Sequence, residues 1–170
     1  DALKRLKFPK KGDLITYIYR SVEIKNAIVT QDPNEINVRK FLNFGHTLGH
    51  AIESYCLDNK TLKTLLHGEA IAIGMVLEAF LSYKLCGLSE KDLVAIETTF
   101  SKIYEKCDFK DENIKSILNL LKHDKKNTHG RVNFVLLEAI GKCRLDVEVG
   151  EALIYDAFKN YAKILTTVIR

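Results

Sequence analysis

A chain of 170 residues, 46% of them hydrophobic and 28% charged, is long enough to bury one good core, and the proportions exclude intrinsic disorder. The net charge is only +4, and the lysines are scattered among acids, which speaks against nucleic acid as a partner because a polyanion binder carries a dense basic stripe. A membrane role is not expected either: the most apolar run, residues 70–81, falls short of the roughly 20 residues that span a bilayer and is broken by Gly74 and Glu78.

The four cysteines, Cys56, Cys86, Cys107 and Cys143, are far apart and form no CxxC pair, so reduced thiols in a cytoplasmic protein are expected. The N-terminus has neither an initiator methionine nor a signal-peptide profile and reads as a fragment. Residues 1–12, with Lys4, Arg5, Lys7, Lys10 and Lys11 around Pro9 and Gly12, form a basic lead-in from a preceding domain, and residues 13–170 form one domain.

Asp13 is positioned to cap a helix running to Val29, with Leu14, Ile15, Ile18, Val22, Ile24 and Ala27 as its apolar positions and Lys25 near its end. Pro33 then makes residues 31–35 a turn. Residues 39–53, wound at about 100° per residue, place Arg39, Asn43, His46 and His50 on one narrow stripe. Phe41, Phe44, Leu48, Ala51, Ile52 and Tyr55 fall opposite. Residues 69–85 are apolar nearly all round and read as a buried central helix, with Gly87 just past its end and His67 just before its start.

Ser89 and Asp92 are spaced to cap the next helix, which runs to about Lys106. Asp111 opens another, with Ile114, Ile117, Leu118, Leu120 and Leu121 inward, ending near His123. Residues 131–138 and 143–149 suit two strands around Gly141, the second with Arg144, Asp146 and Glu148 out and Leu145, Val147 and Val149 in. Residues 151–167 return to helix. The fold class is mainly α, a multi-helix domain with at most one small β-hairpin.

The chemistry gathers on histidines. His46 and His50 stand one turn apart, close enough to serve one metal ion or one bound anion, and His67 makes a third candidate ligand. Arg39 and Asn43 on the same stripe suit an anionic, oxygen-rich substrate. Gly45 and Gly49 inside a helix cost about 1 kcal/mol each relative to alanine, so something must approach the backbone closely there. Glu53 and Glu69 are each able to complete a metal shell, although Glu69 also suits the first turn of its own helix and Glu53 lies one residue off the stripe centre. Lys125 and Lys126 suit a phosphate, while His123 and His129 beside them read as solvated.

Arg39, then Asn43-Phe44-Gly45-His46-Thr47-Leu48-Gly49-His50-Ala51-Ile52-Glu53, then His67-Gly68-Glu69-Ala70-Ile71-Ala72-Ile73-Gly74-Met75, closely resemble the 3-dehydroquinate synthase family. Asp124-Lys125-Lys126 and the stretch from Phe134 to Gly141 extend the likeness, which covers only the C-terminal, helical domain of that family. The resemblance implies a homodimer with NAD held mainly by an N-terminal α/β domain that is not in this chain, so that the fragment alone is inactive. His46 and His67 match two of three protein ligands to a divalent metal, zinc or cobalt, and His50 matches a histidine beside the substrate, which alters the two-histidine reading. Lys25 matches a catalytic group contacting the anionic substrate, and Arg39, Asn43 and one of Lys125 and Lys126 match substrate-binding groups. The third metal ligand, a glutamate, lies upstream of Asp1.

The reaction so implied converts a small-molecule phosphorylated sugar acid, 3-deoxy-D-arabino-heptulosonate 7-phosphate, to 3-dehydroquinate and phosphate in the shikimate pathway. Rival expectations are a related sugar-phosphate cyclase, an iron-dependent alcohol dehydrogenase domain, and a non-catalytic helical scaffold module.

Overall fold

The computed structural model describes residues 11–59, 62–123 and 132–164, so Lys125, Lys126 and the first ten residues of the expected lead-in lie outside the described residues. The chain divides into two units, Asp1–Leu42 and Asn43–Arg170. In the first, helix α1 (Lys11–Gln31) contains the expected helix and extends it to Gln31, with Asp13 inside its first turn rather than capping it. Of its apolar positions, Leu14, Ile15, Ile18, Val22 and Ile24 are exposed. Their spacing builds an amphipathic face, but burial of that face requires a partner, which spacing does not supply.

The turn after α1 forms as Pro33 requires. Asp32, buried, accepts backbone N–H bonds from Ile36 (3.0 Å), Asn37 (2.7 Å) and Arg39 (3.1 Å). Burial pushes its carboxyl upward, but these three donors and the Arg39 charge outweigh that and hold it below the usual carboxylate range. A 3-10 helix, Val38–Asn43, follows.

The second unit is built around α2 (His46–Asp58) and α3 (His67–Leu85). Helix α3 is the greasy one: nine of its apolar or small residues, from Ala70 to Leu81, are buried, together with Glu78 and Ser82. It packs against α2, against α4 (Glu90–Ile103), against strand β1 (Asn133–Ala139) and against α6 (Glu151–Lys163), while α5 (Asp111–His123) packs on α2. Gly87, at φ 80°, ends the central helix region as expected, and Ser89 Oγ accepts the Asp92 N–H at 3.1 Å to start α4.

Strand β2 (Lys142–Glu148) pairs antiparallel with β1 around a turn at Gly141, φ 92°, so the one small hairpin is present. Along β2, Cys143, Leu145 and Val147 are half-buried and Arg144, Asp146 and Glu148 exposed, the alternation read from sequence. Ser82 ties the hairpin to the centre: its hydroxyl donates to the Glu78 carbonyl at 2.6 Å and accepts the Leu137 N–H at 2.9 Å. Cys56, Cys86 and Cys107 are buried and all four cysteines are free thiols, with burial pushing Cys107 up to about 12.

Candidate metal centre at a helix crossing

The stretch read as one continuous helix is two. Gly45, between the 3-10 helix Val38–Asn43 and α2, adopts φ 84°, ψ −11°, a left-handed conformation through which no helix runs on. The stripe Arg39, Asn43, His46, His50 is therefore not one helix face. Arg39 belongs to the first unit, where its guanidinium donates to the Pro33 carbonyl at 2.8 Å and pairs with Glu35 at 3.5 Å. Lys25 lies in the same unit on α1 and is exposed. Asn43 is half-buried at the beginning of the second unit.

What approaches the glycines is helix α3. A Cβ on Gly74 would overlap the Gly45 carbonyl oxygen and stand 2.8 Å from the Gly49 nitrogen, and one on Gly49 would stand 3.0 Å from the Ile71 Cα. Three glycines thus let two helix backbones cross in near contact, and the cost of glycine in a helix is offset there. Because Gly45 has no side chain to cap α2, a residue from α3 does so. The fully buried Glu78 carboxylate accepts the Gly45 N–H at 2.6 Å and the Leu48 N–H at 3.2 Å, with Thr47 as a third backbone donor. Burial raises its pKa to about 8, against the pull of those three donors. Glu78 was visible in sequence only as a carboxylate inside an otherwise apolar helix, which is the signal that marks it.

The crossing brings His46 and His50 of α2 beside His67, the first residue of α3 rather than the one before it. One ring nitrogen from each lies within 4.8 Å of the others. The ring centroids are 5.3 Å apart for His46 and His50, 6.0 Å for His46 and His67, and 5.6 Å for His50 and His67. His46 is half-buried, and His50 and His67 are exposed, so the cluster is open on one side.

Two of the imidazoles are oriented through Nδ1. His46 Nδ1 lies 3.3 Å from the Phe44 carbonyl oxygen, and His67 Nδ1 lies 3.0 Å from Glu53 Oε2. Both partners are hydrogen-bond acceptors, so a neutral imidazole in either place donates through Nδ1. That is the donor arrangement of histidines that ligate a metal, and the residues present fit a divalent ion. Glu69 takes the alternative role: its carboxylate accepts the Leu66 N–H at 2.8 Å and caps α3.

Fold and cluster together define a mainly helical domain that presents convergent imidazoles where two glycine-bearing helices cross. The chain belongs to the 3-dehydroquinate synthase C-terminal family, whose profile matches residues 1–127. It is 37% identical over 155 residues to the 3-dehydroquinate synthase of Parabacteroides distasonis, covering 88% of this chain and 43% of that protein. With the Caldanaerobacter subterraneus 3-dehydroquinate synthase it shares 41% identity over 133 residues, 78% of this chain and 36% of that protein. It therefore spans less than half the length of these curated relatives.

Among solved structures, 2-deoxy-scyllo-inosose synthase complexed with carbaglucose-6-phosphate, NAD+ and Co2+ superposes with a TM-score of 0.73 at 26% identity, over 88% of this chain and 41% of that one. The 2-epi-5-epi-valiolone synthase ValA of Streptomyces hygroscopicus, with NAD+ and Zn2+ bound, shares the fold at a TM-score of 0.68 and 22% identity, over 92% of this chain and 42% of that one.

Proposed function

We propose that this chain is the metal- and substrate-binding domain of a 3-dehydroquinate synthase that converts 3-deoxy-D-arabino-heptulosonate 7-phosphate to 3-dehydroquinate and phosphate in the shikimate pathway. The observation that carries the reading is the convergence of His46, His50 and His67 with Nδ1 of both His46 and His67 held by oxygen acceptors. His46 and His67 would hold a divalent ion, zinc or cobalt, together with the glutamate that the family motif places upstream. Such an ion supplies Lewis acidity toward a substrate hydroxyl, and NAD, bound by an N-terminal domain, supplies a hydride acceptor.

The residues of this chain do the rest of the work in the proposal. His50, next to the metal-binding pair and open to solvent, moves a proton at a ring nitrogen. Lys25, Arg39, Asn43 and one of Lys125 and Lys126 bind the substrate carboxylate and phosphate, an assignment that rests on their match to the family motif. Cations so placed align the reacting carbons and stabilise the departing phosphate. Among the described residues no helix is long and apolar enough to cross a membrane, and the enzyme is proposed to work as a cytoplasmic homodimer.

The test is phosphate release from the sugar acid phosphate by the intact enzyme with NAD and zinc or cobalt. His46→Ala and His67→Ala are expected to abolish turnover and metal content together, and the 170-residue chain alone is expected to release none. Unchanged turnover in either variant would overturn the proposal. A second reading, a related sugar-phosphate cyclase, is favoured by the superposition on 2-deoxy-scyllo-inosose synthase. Product analysis separates the two, because the alternative yields a different carbocycle from a different sugar phosphate.

A further inference from the structure

We infer that Glu53 is a positioning residue for His67: its carboxylate holds the imidazole in the Nδ1–H tautomer and presents Nε2 to the metal position. The second half of that statement rests on the proposed metal role of His67, while the first stands on the geometry of this chain alone. Glu53 lies on α2, seven residues after His46 and three after His50, so all three residues share one helix side over two turns. His67 opens α3 on the other side of the crossing. The Nδ1 to Oε2 distance is 3.0 Å, and Glu53 is the more enclosed partner, its side chain 24% exposed against 57% for His67.

An ionised carboxylate only accepts hydrogen bonds, so the proton of a neutral His67 sits on Nδ1. Without that partner an imidazole in water prefers its proton on Nε2, the nitrogen a metal needs free. His67 stands at a helix start and is more than half exposed, so little packing fixes its ring, and the carboxylate is what sets tautomer and orientation together. The glycine crossing makes this dependable: with Gly49 against Ile71, the backbones carrying Glu53 and His67 are held at a fixed separation. A carboxylate behind a histidine also raises the basicity of the ligating nitrogen.

The experiment uses the intact protein, metal-free and 15N-labelled at histidine, with His67 assigned by a His67→Gln variant. Long-range 1H–15N correlations above the imidazole titration are expected to show the Nδ1–H tautomer in wild type and a shift toward Nε2–H in Glu53→Ala. Glu53→Gln, which keeps a side-chain oxygen as acceptor, is expected to retain part of the wild-type pattern. In a second arm, Co2+ titration followed by visible absorption is expected to show affinity lowered about 10- to 100-fold in Glu53→Ala, and less in Glu53→Gln.

An Nε2–H tautomer in wild type, or a tautomer unchanged in Glu53→Ala, overturns the inference. A tautomer that changes as stated supports the pairing, and a Co2+ affinity equal in wild type and Glu53→Ala overturns the presentation of Nε2 to the metal position. If wild type then took up no Co2+, the metal reading of the cluster would fail while the Glu53–His67 pairing held.

Discussion

Helices α1 and α3 carry a similar number of large apolar side chains and meet opposite fates. Ile18 and Val22 of α1 are 56% and 62% exposed, whereas Leu77 and Leu81 of α3 are fully buried. Both helices were legible as helices. The difference is in their neighbours: α3 is apolar on every side and is packed by α2, α4, α6 and β1, and its small residues admit one of those partners to backbone contact. Apolar spacing specifies a helix, and what is packed against it decides whether the helix carries a core or waits for one.

Substitutions that weaken one helix and spare the other break this comparison most directly. Leu77→Ala should cost about 3–4 kcal/mol, the loss of a fully buried leucine plus the cavity left behind, read as a lower denaturant midpoint at unchanged slope. Gly74→Ala should cost about 3 kcal/mol, near the upper end for overpacking, because the atoms its methyl meets are backbone and cannot step aside. At the other end, Ile18→Ala should change stability by less than about 0.5 kcal/mol, as for other exposed positions. A large loss at Ile18 would mean that α1 is buried against a partner in solution.

Glu78 falls between these in size. Glu78→Ala removes the acceptor for buried N–H groups at the start of α2 and should cost about 2–3 kcal/mol, the usual penalty for orphaned donors. Its pH dependence has a defined sign. The folded value of about 8 exceeds the unfolded 4.5, so between those values the folded state holds the proton more tightly. The stabilisation from the protonated form is complete below pH 4.5 and is lost as pH rises to 8, and Glu78→Gln should flatten that portion of a stability profile. A profile as steep in Glu78→Gln as in wild type would show that Glu78 does not govern it.

The parts of the fold that sequence disclosed are those set by neighbours in the chain. Ser89 with Asp92, Gly87, Pro33 and the alternation along β2 each act within four residues or so, and each is where the residues alone put it. The break at Gly45 was hidden because a glycine at helical spacing is compatible with a helix interior, and the close approach of Gly74 to its carbonyl joins residues about 30 apart in the chain. The Glu78 cap was hidden for the same reason, its partners being 30 and 33 residues earlier.

For the candidate centre, the histidines were legible as types and spacing, and the structure unites all three. Arg39 and Lys25 fall in the first unit, and the roles given to them and to Asn43, Lys125 and Lys126 stay with the family motif. Glu53 shares one side of α2 with His46 and His50, and it reaches His67 because α3 crosses α2 closely.

The most direct test of the central claim is the zinc or cobalt content of the intact protein after dialysis, measured for wild type, His46→Ala and His67→Ala. The account predicts about one ion per chain in wild type, as for a single catalytic centre, and loss of that ion in both variants. Equal metal content in all three would contradict it.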